Sequence, residues 1–438
     1  MPAKKRWRSV KGPVTALVST MADIGWSMPD PVTLCNQEGE QHHLLEGDQN
    51  AIRYQIQRTL EEQVWKDSGT SHMGGGMEIS GVNLEPVIAQ MKAYDKAGEK
   101  GRSRLCAVIA EGGCWHKARR KEAYPQEIAD DKCAWCGEQD TDWHANWGCR
   151  QLERQGIPAV DQSQHLLPKA TLQMDRHPTF RQPALPCYWL RGLLPNHAVE
   201  LPPPSDTEDR EEEGQVLLGY EGEVCGDGSG GERTSDAKLR RCGWAVVQVV
   251  PLKSQSTWPT CAGKLTGPKQ TVPRAELAAL LHVAKNLGGD TVYWTDHINI
   301  VRRLSPGNLP QWEKHKKISG ANSENQDQWE AIFEARKKAG HSLQAKWVNS
   351  NSGTDPEERS PAIPAYIYSG NDLADEAAKK AAKQHDIPAA IVEEVEEHQD
   401  TARLIIRRLV EVALAKMAEA TKPVVKRNKK MWTSCQGR

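Results

Sequence analysis

The 438-residue chain is almost without phenylalanine, with 2 against 15 tryptophans and 8 tyrosines. Any large core must therefore rest on Leu, Val, Ile, Ala and Trp. Charge of one sign is also lacking. The 57 Lys and Arg and 58 Asp and Glu leave a formal net charge of −1. That excludes a uniformly basic nucleic-acid coat but not a local basic groove, because binding follows the distribution of charge rather than its sum. No apolar run reaches the ~18 residues a spanning helix needs, and mean hydropathy is −0.67, so an integral membrane protein is not expected. Residues 1–12 are basic with no apolar stretch behind them, so no secretory signal is expected there. No internal repeat is present. Cysteine is not scarce, but its count of 11 is odd and spread along the chain. Metal ligation or free thiols fit this better than a disulfide framework.

Five zones follow from composition. Residues 1–121 are poorly periodic, apart from a helix expected over 51–64, where Ile52, Ile56, Leu60 and Val64 recur every four residues. Residues 122–163 hold the densest Cys/His cluster. Residues 164–214 are rich in proline and end in an acidic run, which reads as an extended linker. Residues 215–388 read as one α/β domain in the order β-β-β-α-β-α-β-α, a mixed sheet flanked by helices. Its expected strands are 224–227, 243–250, 257–265, 291–295 and 343–348, and its expected helices 275–287, 327–339 and 374–384. Residues 389–438 carry an amphipathic helix and a basic tail. Leu404, Ile405, Leu409, Val412, Ala413 and Met417 share one face, and a packing or partner helix is expected.

Four acids stand where elements of the α/β domain end or begin. Asp227 closes a strand before Gly228-Ser-Gly, and Glu276 lies on the first turn of a helix in Arg274-Ala-Glu-Leu. Asp296 closes a strand in Trp294-Thr-Asp, and Asp375 opens the last expected helix in Gly370-Asn-Asp-Leu-Ala-Asp. Strand ends and helix starts can meet at one sheet edge. Converging carboxylates repel one another unless a cation neutralises them, and Mg2+ with its oxygen ligands is the natural partner.

These motifs, in this order, resemble the type 1 ribonucleases H over residues 223–383. The resemblance implies a ribonuclease H-like, five-stranded mixed sheet and Mg2+-dependent cleavage of the RNA strand of an RNA–DNA hybrid. It makes Asp227, Glu276, Asp296 and Asp375 the catalytic, metal-binding carboxylates, with two Mg2+ ions astride the scissile phosphate. Gly228 and Ser229 would allow close approach to a phosphate, and Arg274, Arg302 and Arg303 are candidate phosphate contacts. One position departs from the pattern. Where the family carries a loop histidine after the last strand, this chain has Asn351, which can hydrogen-bond but cannot carry a proton at neutral pH. A competent but slowed nuclease is the first expectation. The alternative is a weakened module that grips nucleic acid without cutting it. A transposase or integrase of related fold is opposed by the acid order, with Glu second. A purely structural remnant is the fourth reading.

Cys133-Ala-Trp-Cys136 is followed by His144 and Cys149. Three thiols and an imidazole at such short separations suit a closed tetrahedral Zn2+ site, which can fold a segment with little core of its own. The competing reading is free thiols in a patch packed by Trp135, Trp143 and Trp147. The arrangement resembles zinc segments found downstream of reverse transcriptases in retroelements, and the order zinc segment, linker, nuclease matches the C-terminal part of such a polyprotein. No Tyr-x-Asp-Asp polymerase motif is present. The basic cluster of Lys4, Lys5, Arg6 and Arg8 permits nuclear import without establishing it, and the oligomeric state stays open.

Overall fold

The computed structural model describes residues 3–46, 49–172, 174–175, 182–183, 185–205, 209–213, 219–304, 325–349 and 360–419. The chain divides into two units, Leu201–Val392 and a second made of Met1–Glu200 with Glu393–Arg438.

The Leu201–Val392 unit is built on a mixed sheet. Its strands are β1 (Arg210–Glu213), β2 (Tyr220–Ser229), β3 (Gly243–Gln248), β4 (Thr260–Lys264), β5 (Leu287–Thr295) and β6 (Leu343–Trp347). Spatial order is β6-β5-β2-β3-β4-β1. The pairs from β2 through β3 and β4 to β1 are antiparallel, whereas β5 lies parallel to both β2 and β6. Six strands stand where five were expected. The extra one, β1, comes from the acidic run read as linker: Glu213 pairs with Thr260 and Arg210 with Gly263. Charged residues are tolerated on an edge strand because both faces and one edge meet water, and Lys380 bridges Glu211 and Glu213.

Helices cover both faces. Helix α1 (Val272–Lys285) begins with Pro273 in its first turn and buries Leu277, Leu280 and Val283. Full burial of such side chains is worth about 1.5–3 kcal/mol each. Helices α2 (Ile298–Leu304) and α3 (Gln326–Ala339) add Ile300, Leu304, Trp329 and Ile332 to the same core. Helix α4 (Ala365–Lys383) packs Ala374, Ala378, Ala381 and Ala382 on the opposite face. Small residues bring it close: a Cβ on Gly243 would stand 2.3 Å from the Ala382 amide nitrogen.

Helix α4 starts nine residues before the expected position. Gly370 and Asn371 precede the expected helix, yet both are buried inside it. Gly370 is there for space, since a Cβ would lie 2.8 Å from Cys225 Sγ. Asp375 therefore lies within α4 and does not open it.

The second unit has a core of its own, in which Trp147, Tyr188, Trp189, Ile405, Ile406, Leu409 and Val410 are buried together. The expected helix over 51–64 runs Gln49–Gly69. Helix α5 (Ala389–Glu419) buries Ile405, Leu409, Val412 and Ala413, a packing face as its pattern implied. Within the stretch read as linker, Pro186–Arg191 is a helix whose every residue is buried. Gly192 ends it at φ 69°, and a Cβ there would meet Ile406 Cβ at 2.9 Å. No described helix is long and apolar enough to cross a membrane.

Candidate metal centres

The parallel register sets the first site. Trp294 of β5 lies opposite Cys225 of β2, so two residues further Asp296 comes level with Asp227 on the same face. Glu276 arrives from α1 across Gly228, where a Cβ would stand 2.4 Å from the Glu276 amide nitrogen. Asp227, Glu276 and Asp296 each bring a carboxylate oxygen within 4.8 Å of the others.

The electrostatics are those of a strained anionic cluster. Burial, together with the Asp296 and Asp375 charges, pushes the Asp227 carboxyl up to about 7, against its bonds to Glu276 and the Gly228 amide. Glu276 is raised well above its ordinary value, first by complete burial and then by Asp227 and Asp296. Its Oε2 atom is buried and without a hydrogen-bond partner. An all-oxygen donor set with one orphaned buried oxygen fits a hard divalent cation such as Mg2+.

Asp375 does not join this trio. It bears on Asp227 through its charge, but its Oδ2 accepts a hydrogen bond from Lys379 at 2.6 Å one helical turn on. Gly228 does not form a turn open to phosphate. It lies inside β2 beneath α1, and its amide donates to Asp227 Oδ1 at 2.8 Å. Ser229 lines a cleft of about 430 Å3 with Gly231, Lys379, Lys380 and Lys383. Arg274 is held in a two-pronged ion pair with Asp327, at 2.9 and 2.5 Å. Arg303 lies over the Trp329 ring at 4.8 Å, and Arg302 is exposed on α2. Asn351 lies outside the described residues.

Sequence reasoning passed over Tyr293 and Gly226. Tyr293 is fully buried on β5, and its hydroxyl fills the place where a Cβ of residue 226 would stand, 2.1 Å from that position. A bulky aromatic on β5, beside a paired strand that carries a glycine two positions beyond its partner Val224, is the signal that could have pointed to it.

The second site is local in sequence. Ligand atoms of Cys133, Cys136, His144 and Cys149 lie within 4.8 Å of one another. Cys133 Sγ is 3.9 Å from Cys149 Sγ, and Cys136 Sγ is 3.2 Å from His144 Nε2. Zn–S bonds of about 2.3 Å meeting at a tetrahedral angle place two sulfurs about 3.8 Å apart, so the cluster is compatible with that ion. The other imidazole nitrogen, Nδ1, lies 3.4 Å from Glu138 Oε2, the kind of support that orients a metal-bound histidine. Burial, then the Lys416 charge, holds His144 below its ordinary value, so its imidazole is neutral as a ligand must be. Lys416 pairs with Asp140, sits 3.9 Å from Cys133 Sγ and lies over the Trp135 ring at 5.0 Å. It comes from α5, 283 residues from Cys133, and no local motif announces it. The ten described cysteines form no disulfide.

No known protein-family profile matches the chain, and no curated protein matches it. Similar solved structures exist for part of it. One is the PFV RNase H domain, with 18% identity over 38% of this chain and 96% of that one, at a TM-score of 0.29. Another is LC9-RNase H1, a type 1 RNase H with the type 2 active-site motif, with 19% identity over 38% and 73% and a TM-score of 0.28. A third is the Prototype Foamy Virus protease–reverse transcriptase, with 17% identity over 36% of this chain and a TM-score of 0.29. The chain spans 20% of that protein's length.

Proposed function

We propose that the Leu201–Val392 unit is a divalent-metal-dependent nuclease of ribonuclease H type, cleaving the RNA strand of an RNA–DNA hybrid. The observation that carries this reading is the convergence of Asp227, Glu276 and Asp296, from three separate elements, at the end of the parallel pair β2 and β5. The order of the four acidic motifs supports the same reading. Asp227, Glu276 and Asp296 would hold the ion, with Asp375 nearby once released from Lys379. A divalent ion held by carboxylates lowers the pKa of a bound water and stabilises the charge that develops at phosphorus. The protein's part is to hold three oxygens together in a site closed on its inner side by Tyr293 and α1. Lys379, Lys380 and Lys383 border the adjacent cleft, where a phosphodiester backbone could lie once their acidic partners give way.

The same proposal assigns a structural Zn2+ to Cys133, Cys136, His144 and Cys149, in a chain of retroelement type. A second reading, binding without cleavage, is favoured by the Lys379–Asp375 pair, which neutralises the fourth carboxylate. The test is cleavage of an RNA–DNA hybrid in Mg2+ by the full chain, with Asp227→Asn as control and Asn351→His beside it. RNA-strand cleavage that needs Asp227, and is faster with Asn351→His, supports the nuclease. Binding of the hybrid with no cleavage by either active-site-intact form assigns the weakened module.

A further inference from the structure

The carboxylate trio rests on a buried hydroxyl. Tyr293 is 0% exposed. Its ring crosses from β5 beneath β2, and only the missing side chain of Gly226 makes room for it: an added Cβ would stand 2.1 Å from Oη and 2.5 Å from Cζ. An aromatic ring ending in a methine would fill this space more cheaply, because a buried hydroxyl with no partner costs about 1–3 kcal/mol. Buried tyrosine hydroxyls normally find an acceptor, yet Tyr293 Oη has none here.

A matching orphan lies over the next position on the same face of β2: Tyr293 covers Gly226, and Glu276 packs over Gly228. Glu276 is 3% exposed and its Oε2 also has no partner. Burial first, and then the Glu276 carboxylate, raise the Tyr293 hydroxyl well above its ordinary value. A buried donor without an acceptor and a buried acceptor without a donor thus belong to side chains packed over neighbouring positions of one strand face. The terminal torsion of a glutamate is soft, so its carboxyl can turn toward the hydroxyl when the trio takes up a cation.

We infer that Tyr293 is a positioning residue of the metal centre, whose hydroxyl donates to Glu276 Oε2 and fixes that carboxylate for the ion. The inference rests on the metal-binding reading of the trio and goes beyond it, since Tyr293 itself touches neither ion nor substrate. In this arrangement one Glu276 oxygen is left for the cation while the other is held from behind. Gly226 is then needed for the hydroxyl rather than for backbone freedom.

The test is Mg2+ and Mn2+ binding to the full chain by calorimetry without nucleic acid, for the unaltered protein, Tyr293→Phe, and Gly226→Ala combined with Tyr293→Phe. The double variant places a methyl in the space that the hydroxyl leaves, so packing is restored while the donor stays absent. Both variants are expected to bind the ions about tenfold more weakly, the scale on which support of a metal ligand acts. In hybrid cleavage the half-saturating Mg2+ should rise while the KM for the hybrid stays unchanged. Recovery of affinity in the double variant, or unchanged affinity in Tyr293→Phe, would overturn the inference and assign the residue to packing. Loss of the fold in both variants would do the same. If the unaltered chain binds neither ion, the metal reading itself falls and takes the inference with it.

Discussion

The two clusters gather ligand atoms within the same 4.8 Å, but they do so by opposite means. The Cys/His cluster is made from 17 consecutive residues, and its atoms are at ease without an ion. Burial pushes the Cys149 thiol up to about 12, and burial and the Lys416 charge hold His144 below its ordinary value. The carboxylate cluster draws on three elements across 70 residues; burial first, and then the neighbouring acids, raise the carboxyls of Asp227 and Glu276. The first is closed by local chain geometry and bound into a small apolar cluster of Leu152, Ile157, Val160 and Val412. The second is held together against its own repulsion by the sheet. An ion would therefore add structure to the first and relieve stress in the second.

The largest effect should come from emptying the first cluster. Elemental analysis should find one zinc per chain, and Cys149→Ala should lose it. Zinc contributes on the order of 10 kcal/mol to small sites of this kind, so chelation or Cys149→Ala should melt the segment around Trp135, Trp143 and Trp147. Tryptophan fluorescence reads this directly. A chain that keeps its emission spectrum and melting temperature on chelation would remove the structural half of the comparison.

Removing a ligand from the second cluster should have the reverse sign on stability. Asp227→Asn should cut Mg2+-dependent hybrid cleavage to below about 1% of the unaltered chain, more than the 10–100-fold typical of residues that only support a ligand. In metal-free buffer the same variant should melt higher, because one buried like charge is gone. At about 2–4 °C per kcal/mol for a unit of this size, a shift of a few degrees is expected. A lower melting temperature would mean that the trio is not under stress, and the contrast between the two sites would fail.

The same contrast explains what was legible in the sequence. Cys133, Cys136, His144 and Cys149 could be named from spacing alone, because the chain closes on itself over that distance. Asp227, Glu276 and Asp296 could be named because each ends or opens an element, and strand ends line up in a parallel pair. Asp375 was read as opening its helix, but it lies within α4. A glycine at 370 argues against a helix there, and only the Cys225 sulfur across the interface shows why one is needed mid-helix. The edge strand Arg210–Glu213 was hidden by its charge. The helix Pro186–Arg191 was hidden by its length, since six residues are too few to show a helical period. Tyr293 and Lys416 were passed over for different reasons. Lys416 reaches its site from a distant element, Tyr293 lies on the strand of Asp296 but meets the site through the space left by Gly226, and neither type of residue marks a metal centre by itself.

A smaller effect tests what holds the first cluster in place. Arg408 of α5 is 1% exposed and donates to the Asn146 carbonyl at 2.7 Å, inside the turn that carries His144. It also donates to the Val160 carbonyl and to Ser163 Oγ, and lies over the Trp147 ring at 4.2 Å. Burial lowers its pKa to about 10, which still leaves it charged at neutral pH. Arg408→Met keeps a stem of similar length on the tryptophan but leaves these acceptors unpaired. A loss of about 2 kcal/mol is expected in denaturant unfolding, with zinc retained. Loss of zinc as well would show that the cluster depends on α5 more than on its own turn.

The smallest effect concerns the ion pair beside the carboxylates. Burial alone would raise the Asp327 carboxyl, but the two bonds from Arg274 and its charge outweigh burial and hold it below its ordinary value. A group with a lowered folded pKa contributes stability above its unfolded pKa of about 3.9 and loses it as pH falls through the folded value. Asp327→Asn should therefore cost about 1 kcal/mol at pH 7, and the gap between variant and unaltered chain should close as pH drops below 4. Because Arg274 stands two residues before Glu276 on α1, the variant also asks whether this anchor sets the trio. Hybrid cleavage at pH 7 should stay within about twofold of the unaltered chain, a factor worth less than 0.5 kcal/mol. A larger loss would place Arg274 among the residues that hold Glu276, and the second cluster would then depend on α3 as well as on the sheet.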